Sequence, residues 1–71
     1  MTDNPRLRIG SRIRELRKEK GYSTRKLAEL AEITGANVVN IENGKYSVGL
    51  DVLSRICKAL EADIKIEKAA E

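Results

Sequence analysis

Between Ser23 and Gly44 the chain reads S-T-R-K-L-A-E-L-A-E-I-T-G-A-N-V-V-N-I-E-N-G. Two hydroxyl residues, Ser23 and Thr34, stand eleven positions apart, and each precedes a short run with apolar residues at helical spacing. A hydroxyl in this position caps a helix, because its oxygen accepts one of the first-turn N–H groups that find no carbonyl inside the helix. Each cap follows an apolar residue, Tyr22 or Ile33, placed to pack on Leu27 or Val38 as a hydrophobic staple. The spacing predicts a helix over Thr24–Ala31, a turn at Glu32 and Ile33, and a further helix that Asn43-Gly44 stops. The connection between them is too short for anything but a sharp corner. Any fold must therefore set these two helices against each other at an angle.

The flanks add helices on either side. Met1–Arg6 reads as a loose arm with a helix-entry signal at Asn4-Pro5. From Leu7 to Lys20 the apolar residues Ile9, Ile13 and Leu16 repeat at helical spacing, and Gly21 supplies a helix stop. After a loop at Lys45–Val48, a helix is expected from Leu50 to Leu60, capped by Gly49, with Leu50, Leu53, Ile56, Cys57 and Leu60 as its apolar face. Asp51 would sit near the positive end of its dipole.

The tail changes period: Ala62, Ile64 and Ile66 alternate with Asp63, Lys65 and Glu67, the two-residue repeat of a strand. A lone strand leaves its backbone donors and acceptors unpaired, and no other segment has this periodicity. Pairing with the same strand of a second copy about a two-fold axis would solve that, so a homodimer is expected. The alternative is an extra helical turn over Asp63–Ala70. The expected organisation is an arm at 1–6, an all-α domain of four to five helices at 7–61, and a dimerising strand and tail at 62–71.

Composition bounds the function. Seventy-one residues make one small domain, and without Trp or Phe its core must be aliphatic. Such a thin core favours oligomerisation. With one cysteine, Cys57, and no His, neither an internal disulfide nor a Cys/His zinc site is available, and a reducing, cytoplasmic location is the default. No apolar run approaches the roughly 20 residues that span a bilayer, so no membrane partner is expected. No constellation of nucleophile, base and acid is present, Cys57 falls on an apolar helix face, and neither an enzyme nor a cofactor is expected. The net charge of +3 is uneven: nine of the fourteen Lys and Arg precede Leu27 against three acids, whereas the remainder holds five basic and eight acidic residues. Charge of this kind is compatible with a merely solvated face. Combined with the paired helices, it marks the basic half as the side to approach phosphates.

Two short helices at a tight corner form a helix-turn-helix, which makes double-stranded DNA the first candidate partner. From Ile9 to Leu60 the chain resembles the Cro and phage-repressor, or Xre-like, family. The resemblance rests on I-G-S-R-I-R-E-L-R-K-E-K-G-Y-S, then L-A-E-L-A, then I-E-N-G-K, then the leucine, isoleucine and cysteine pattern of Leu50 to Leu60, in that order. It implies a lambda-repressor-like domain whose third helix lies in the major groove. On matching positions it implies an ion pair between Arg17 and Glu42, and phosphate contacts at the start of the second helix from Ser23 and Thr24, with Arg25 a weaker candidate there. A second phosphate clamp would use Asn43, the amide of Gly44 and Lys45, with Tyr46 added. Arg12 and Arg14 are weaker candidates.

Base reading would fall to Thr34, Gly35, Ala36, Asn37 and Asn40, and here the chain departs from the family, which often carries Gln, Arg or Ser at these places. Asn37 and Asn40 can each pair with adenine through two bonds, Ala36 can touch only a thymine methyl, and Gly35 offers backbone alone. An A·T-leaning preference is expected. Val38 and Ile41 should face the core, and Val39 should be exposed. The leading functional expectation is a dimeric repressor on a palindromic operator. The alternative is an antitoxin whose main partner is a toxin protein and which represses its own operon, a role that a dimerising tail would also suit.

Overall fold

The computed structural model describes residues 4–69 and contains four helices, α1 (Pro5–Glu19), α2 (Thr24–Ala31), α3 (Gly35–Glu42) and α4 (Leu50–Ala59). Side chains cap the first three. Asn4 Oδ1 accepts the N–H groups of Arg6 and Leu7 at 3.1 and 3.3 Å, Ser23 Oγ that of Lys26 at 2.9 Å, and Thr34 Oγ1 that of Asn37 at 3.1 Å. With Asn4 as the cap and Pro5 in the first position, where a missing N–H costs nothing, α1 begins before the expected Leu7. Pro5 and Arg6 are thus helical rather than part of an arm; Met1–Asp3 lie outside the described residues. Gly49 caps α4 without a side-chain bond, and Asp51 occupies its first turn.

All four helices end in the same pair of bonds, in which a left-handed residue turns the chain back over the last carbonyls. Gly21 and Tyr22 donate to Lys18 and Arg17 at 3.0 and 3.1 Å, and Glu32 and Ile33 to Glu29 and Ala28 at 3.3 and 3.0 Å. Gly44 and Lys45 donate to Ile41 and Asn40, and Glu61 and Ala62 to Lys58 and Cys57. The left-handed residues have φ of 74, 60, 70 and 56°. This device makes the corner between α2 and α3 so short: Glu32 reverses the chain, Ile33 drops onto the core, and Thr34 caps the next helix.

The core is aliphatic: Ile13 from α1, Leu27, Ala28 and Ala31 from α2, Val38 and Ile41 from α3, and Ile56 and Leu60 from the α4 end. Leu16, Tyr22, Ile33, Val52, Leu53 and Ala62 close its margins. α2 packs on both α3 and α4, and α1 packs on α3. Leu50 does not join the apolar face expected of it; as the first residue of α4, arriving from an exposed loop, it is 76% exposed. Periodicity marks the face of a helix but not how far along it the core extends.

Two polar contacts and one glycine set the helices in place. Arg17 Nε and Nη2 donate to the two carboxylate oxygens of Glu42 at 2.7 and 3.1 Å, and Nη1 donates to the Tyr22 carbonyl at 2.8 Å. Both side chains of this pair are buried. Arg55 Nε donates to the carbonyl of Ala31 at 2.8 Å, tying α4 to a carbonyl that the end of α2 leaves without an intrahelical partner. Gly10 is buried where α1 crosses the end of α3, and a Cβ there would stand 2.2 Å from the Ile41 carbonyl oxygen. Among the described residues no buried side-chain nitrogen or oxygen lacks a hydrogen-bond partner.

The tail departs from the strand expected of it. Residues 62–69 carry no regular secondary structure, and the described residues contain no strand. The two-residue alternation is real in the sequence, but a strand is defined by its partner, and the single chain has none to give. Ala62 packs on the core, whereas Ile64 is exposed and Ile66 is 98% exposed. No helix among the described residues is long and apolar enough to cross a membrane.

Candidate nucleic-acid interface

At 3.6 residues per turn, α3 divides into two faces. Val38, Ile41 and Glu42 point into the protein, and Ala36, Val39 and Asn43 are exposed on the opposite side, with Asn40 partly so. The outward face is thus an exposed methyl, an isopropyl and two carboxamides. Thr34, at its head, is exposed; its oxygen accepts the Asn37 N–H, and its own proton remains to donate. Gly35 is half-buried in the first turn, and a Cβ there would meet nothing within 4 Å.

Asn37 lies at the flank rather than the centre of that face, half-buried. Its side chain is engaged: the Tyr46 hydroxyl donates to Asn37 Oδ1 at 2.9 Å and lies 3.5 Å from the Asn37 carbonyl oxygen. The loop after α3 therefore folds back on the helix start. This contact joins positions nine apart through a loop, so no local pattern announces it.

The turn after α3 carries Asn43, Gly44 and Lys45. It sits against the start of α1, since a Cβ on Gly44 would lie 2.9 Å from Leu7 Cα. The Gly44 N–H, expected to face a phosphate, is already donated to Ile41, and those of Asn43 and Lys45 to Val39 and Asn40. What this turn offers outward is therefore the exposed side chains of Asn43 and Lys45. At the start of α2, Ser23 and Arg25 are exposed and Thr24 is half-buried. Ser23 Oγ accepts the Lys26 N–H and keeps its own proton. The N–H groups of Thr24 and Arg25 occupy the first two positions of the helix, where no intrahelical carbonyl reaches them.

Among the other cations, Arg14 is exposed and Arg12 pairs with Glu15 at 2.8 Å on the surface of α1. Lys20 pairs with Glu61, joining the far ends of α1 and α4. The hydrogen bond between them raises Lys20 and lowers Glu61 from their ordinary values. Burial, aided by the charge of Asp63, pushes the Cys57 thiol up, which favours its protonated form. No group of three or more His, Cys, Asp or Glu among the described residues is placed to hold a metal ion.

Gly10 and Arg55 are the positioning residues that helical periodicity passes over. A glycine inside an otherwise regular helix was the available signal for the first, since it lowers helix propensity and is retained where backbones must meet. Nothing local marks the second.

Known proteins share this arrangement. The model of the Cro/C1-type HTH DNA-binding domain matches residues 12–65. Control protein C.BamHI of Bacillus amyloliquefaciens is 38% identical over 61 residues, 84% of this chain and 75% of that protein. A putative HTH-type transcriptional regulatory protein of Pyrococcus furiosus is 43% identical over 47 residues, 66% of this chain but 15% of its own length, so the chain spans only a small part of that relative. Among solved structures, the restriction-modification controller protein C.AhdI from Aeromonas hydrophila superposes with a TM-score of 0.78 at 33% identity, covering 80% of this chain and 86% of that one. The chain belongs to the Cro/C1-type helix-turn-helix family of DNA-binding domains.

Proposed function

We propose that this chain is the DNA-binding unit of a transcriptional regulator, a repressor that presents α3 to the major groove of a duplex. The observation that carries this reading is the state of α3: its inner face is fixed by Val38, Ile41 and the Arg17–Glu42 pair, and its outer face has no partner within the described residues. A helix held rigidly with one side bare is what groove insertion requires. Asn40, Asn37 and Thr34 are the base-reading groups, with Ala36 and Val39 supplying apolar contact to a thymine methyl and Gly35 permitting close approach. Phosphates bind at two places. One is the start of α2, where the free amides, the dipole and the Ser23, Thr24 and Arg25 side chains favour an anion. The other is the turn carrying Asn43 and Lys45.

A homodimer on a two-fold operator follows from the same reading, with recognition helices about 34 Å apart. Leu50, Ile64 and Ile66, three exposed apolar side chains at the α4 start and in the tail, support it. Enrichment of binding sites from a random duplex library tests the function: a recurring sequence with two-fold symmetry is expected. Binding of that duplex at several salt concentrations should then show a steep dependence, and Lys45→Ala should lower its slope by about 1. Failure to enrich any sequence would reject the reading.

A further inference from the structure

We propose that Tyr46 is a positioning residue that acts through Asn37, and not a ligand of the DNA backbone. The inference deepens the proposed function and rests on it. Both atoms beside the Tyr46 hydroxyl, Asn37 Oδ1 at 2.9 Å and the Asn37 carbonyl oxygen at 3.5 Å, are acceptors. A phenol has a single proton to donate. That proton is directed at Asn37, and since the oxygens of a phosphodiester only accept, the same hydroxyl cannot bind a phosphate while it holds this residue.

The consequence falls on Asn37. Its backbone N–H is bound by Thr34 Oγ1 at 3.1 Å and its side-chain oxygen by Tyr46, so the residue is tied at both ends. A free carboxamide rotates and offers oxygen or nitrogen to a base alike. Held by its oxygen, Asn37 presents the Nδ2 hydrogens as its open edge. In the major groove such an edge selects acceptors, the N7 of either purine, the O6 of guanine or the O4 of thymine. The freedom lost on binding is also smaller, because the side chain is already fixed. Tyr46 thus links the loop that follows the phosphate-binding turn to the residue that reads a base pair.

A double-mutant cycle on Tyr46→Phe and Asn37→Ala separates this role from a phosphate contact. The probes are the duplex that the wild type enriches from a random library and its single-base-pair variants, each measured at several salt concentrations. Tyr46→Phe should reduce discrimination about 2- to 10-fold, at the one base pair where Asn37→Ala also reduces it. The salt slope should stay unchanged, and Tyr46→Phe should do nothing more once Asn37 is alanine. A salt slope lower by about 1, with equal weakening on every duplex, would instead make Tyr46 a phosphate ligand and overturn the proposal. So would a loss that adds to that of Asn37→Ala. The same cycle followed by urea unfolding without DNA reads the tether itself: non-additive effects are expected, and additive ones reject the contact. A wild type that enriches no sequence contradicts the function as well, and the unfolding cycle then tells whether the tether failed with it.

Discussion

The two faces of α3 are built on opposite terms. Inward, every group is matched: Val38 and Ile41 are in the core, Glu42 takes two bonds from Arg17, and the helix end lies so close to Gly10 that no side chain fits between. Outward, Ala36, Val39, Asn40 and Asn43 are sparse and have little to hold them. The contrast teaches that placement and reading are separable in this molecule. Buried residues decide where the helix stands, and under the proposed function residues that contribute little to the fold would decide what it touches. A small aliphatic core gains little redundancy, so the placement side should be intolerant of change and the reading side permissive.

The largest effect expected from breaking this contrast is on the Arg17–Glu42 pair. Arg17→Met leaves a buried carboxylate without its partner and should cost about 3–5 kcal/mol in urea unfolding. Adding Glu42→Leu should restore much of that loss, because the cost lies in the orphaned charge more than in the absent pair. If the single change were harmless, the inner face would not be what holds α3. Next comes Gly10→Ala, where a Cβ 2.2 Å from the Ile41 carbonyl oxygen must push α1 off α3. A loss near the upper end of about 1–3 kcal/mol is expected, readable as a lower unfolding midpoint; a wild-type midpoint would mean that the two backbones are not in contact.

Asn40→Ala sharpens the other side. Unfolding should shift by no more than about 0.5 kcal/mol, while discrimination at one base pair falls by about 1–3 kcal/mol. A large stability loss with intact selectivity would place Asn40 on the wrong face. The smallest effect belongs to Lys20 and Glu61, a surface pair just after the ends of α1 and α4. Glu61 is lowered, so its contribution is present above the unfolded carboxylate value and fades as pH falls through the folded one. Lys20 is raised, so its contribution is present below the unfolded ammonium value and fades as pH climbs through the folded one. Stability attributable to the pair is therefore flat between these limits, and Glu61→Gln should remove a small slope at each without altering DNA binding.

Much of the fold was legible because its signals are local. Ser23 and Thr34 lie within three residues of the amides they cap, and the bounds of α2 follow from the two caps and the turn between them. The same reading failed where structure depends on something distant. Leu50 has the right phase but lies beyond the reach of the core, and Ala62, Ile64 and Ile66 have a strand's alternation without a partner. In the candidate site, residue types and positions along the chain were readable, but hydrogen-bond commitments were not. The amide of Gly44 is used by its own helix end, and the hydroxyl of Tyr46 by Asn37. Both commitments arise from how the chain turns back after α3, and a one-dimensional pattern does not record that.

The proposed function requires that a rigidly placed α3 present its outer face to DNA. Titrating the labelled protein with the duplex it enriches, and following each backbone amide by NMR, tests it most directly. Large shifts are expected at Ser23–Arg25 and Thr34–Lys45, with Gly10, Ile13 and the α4 core residues nearly still. Shifts confined to α4 and residues 62–69, with α3 unmoved, would contradict it.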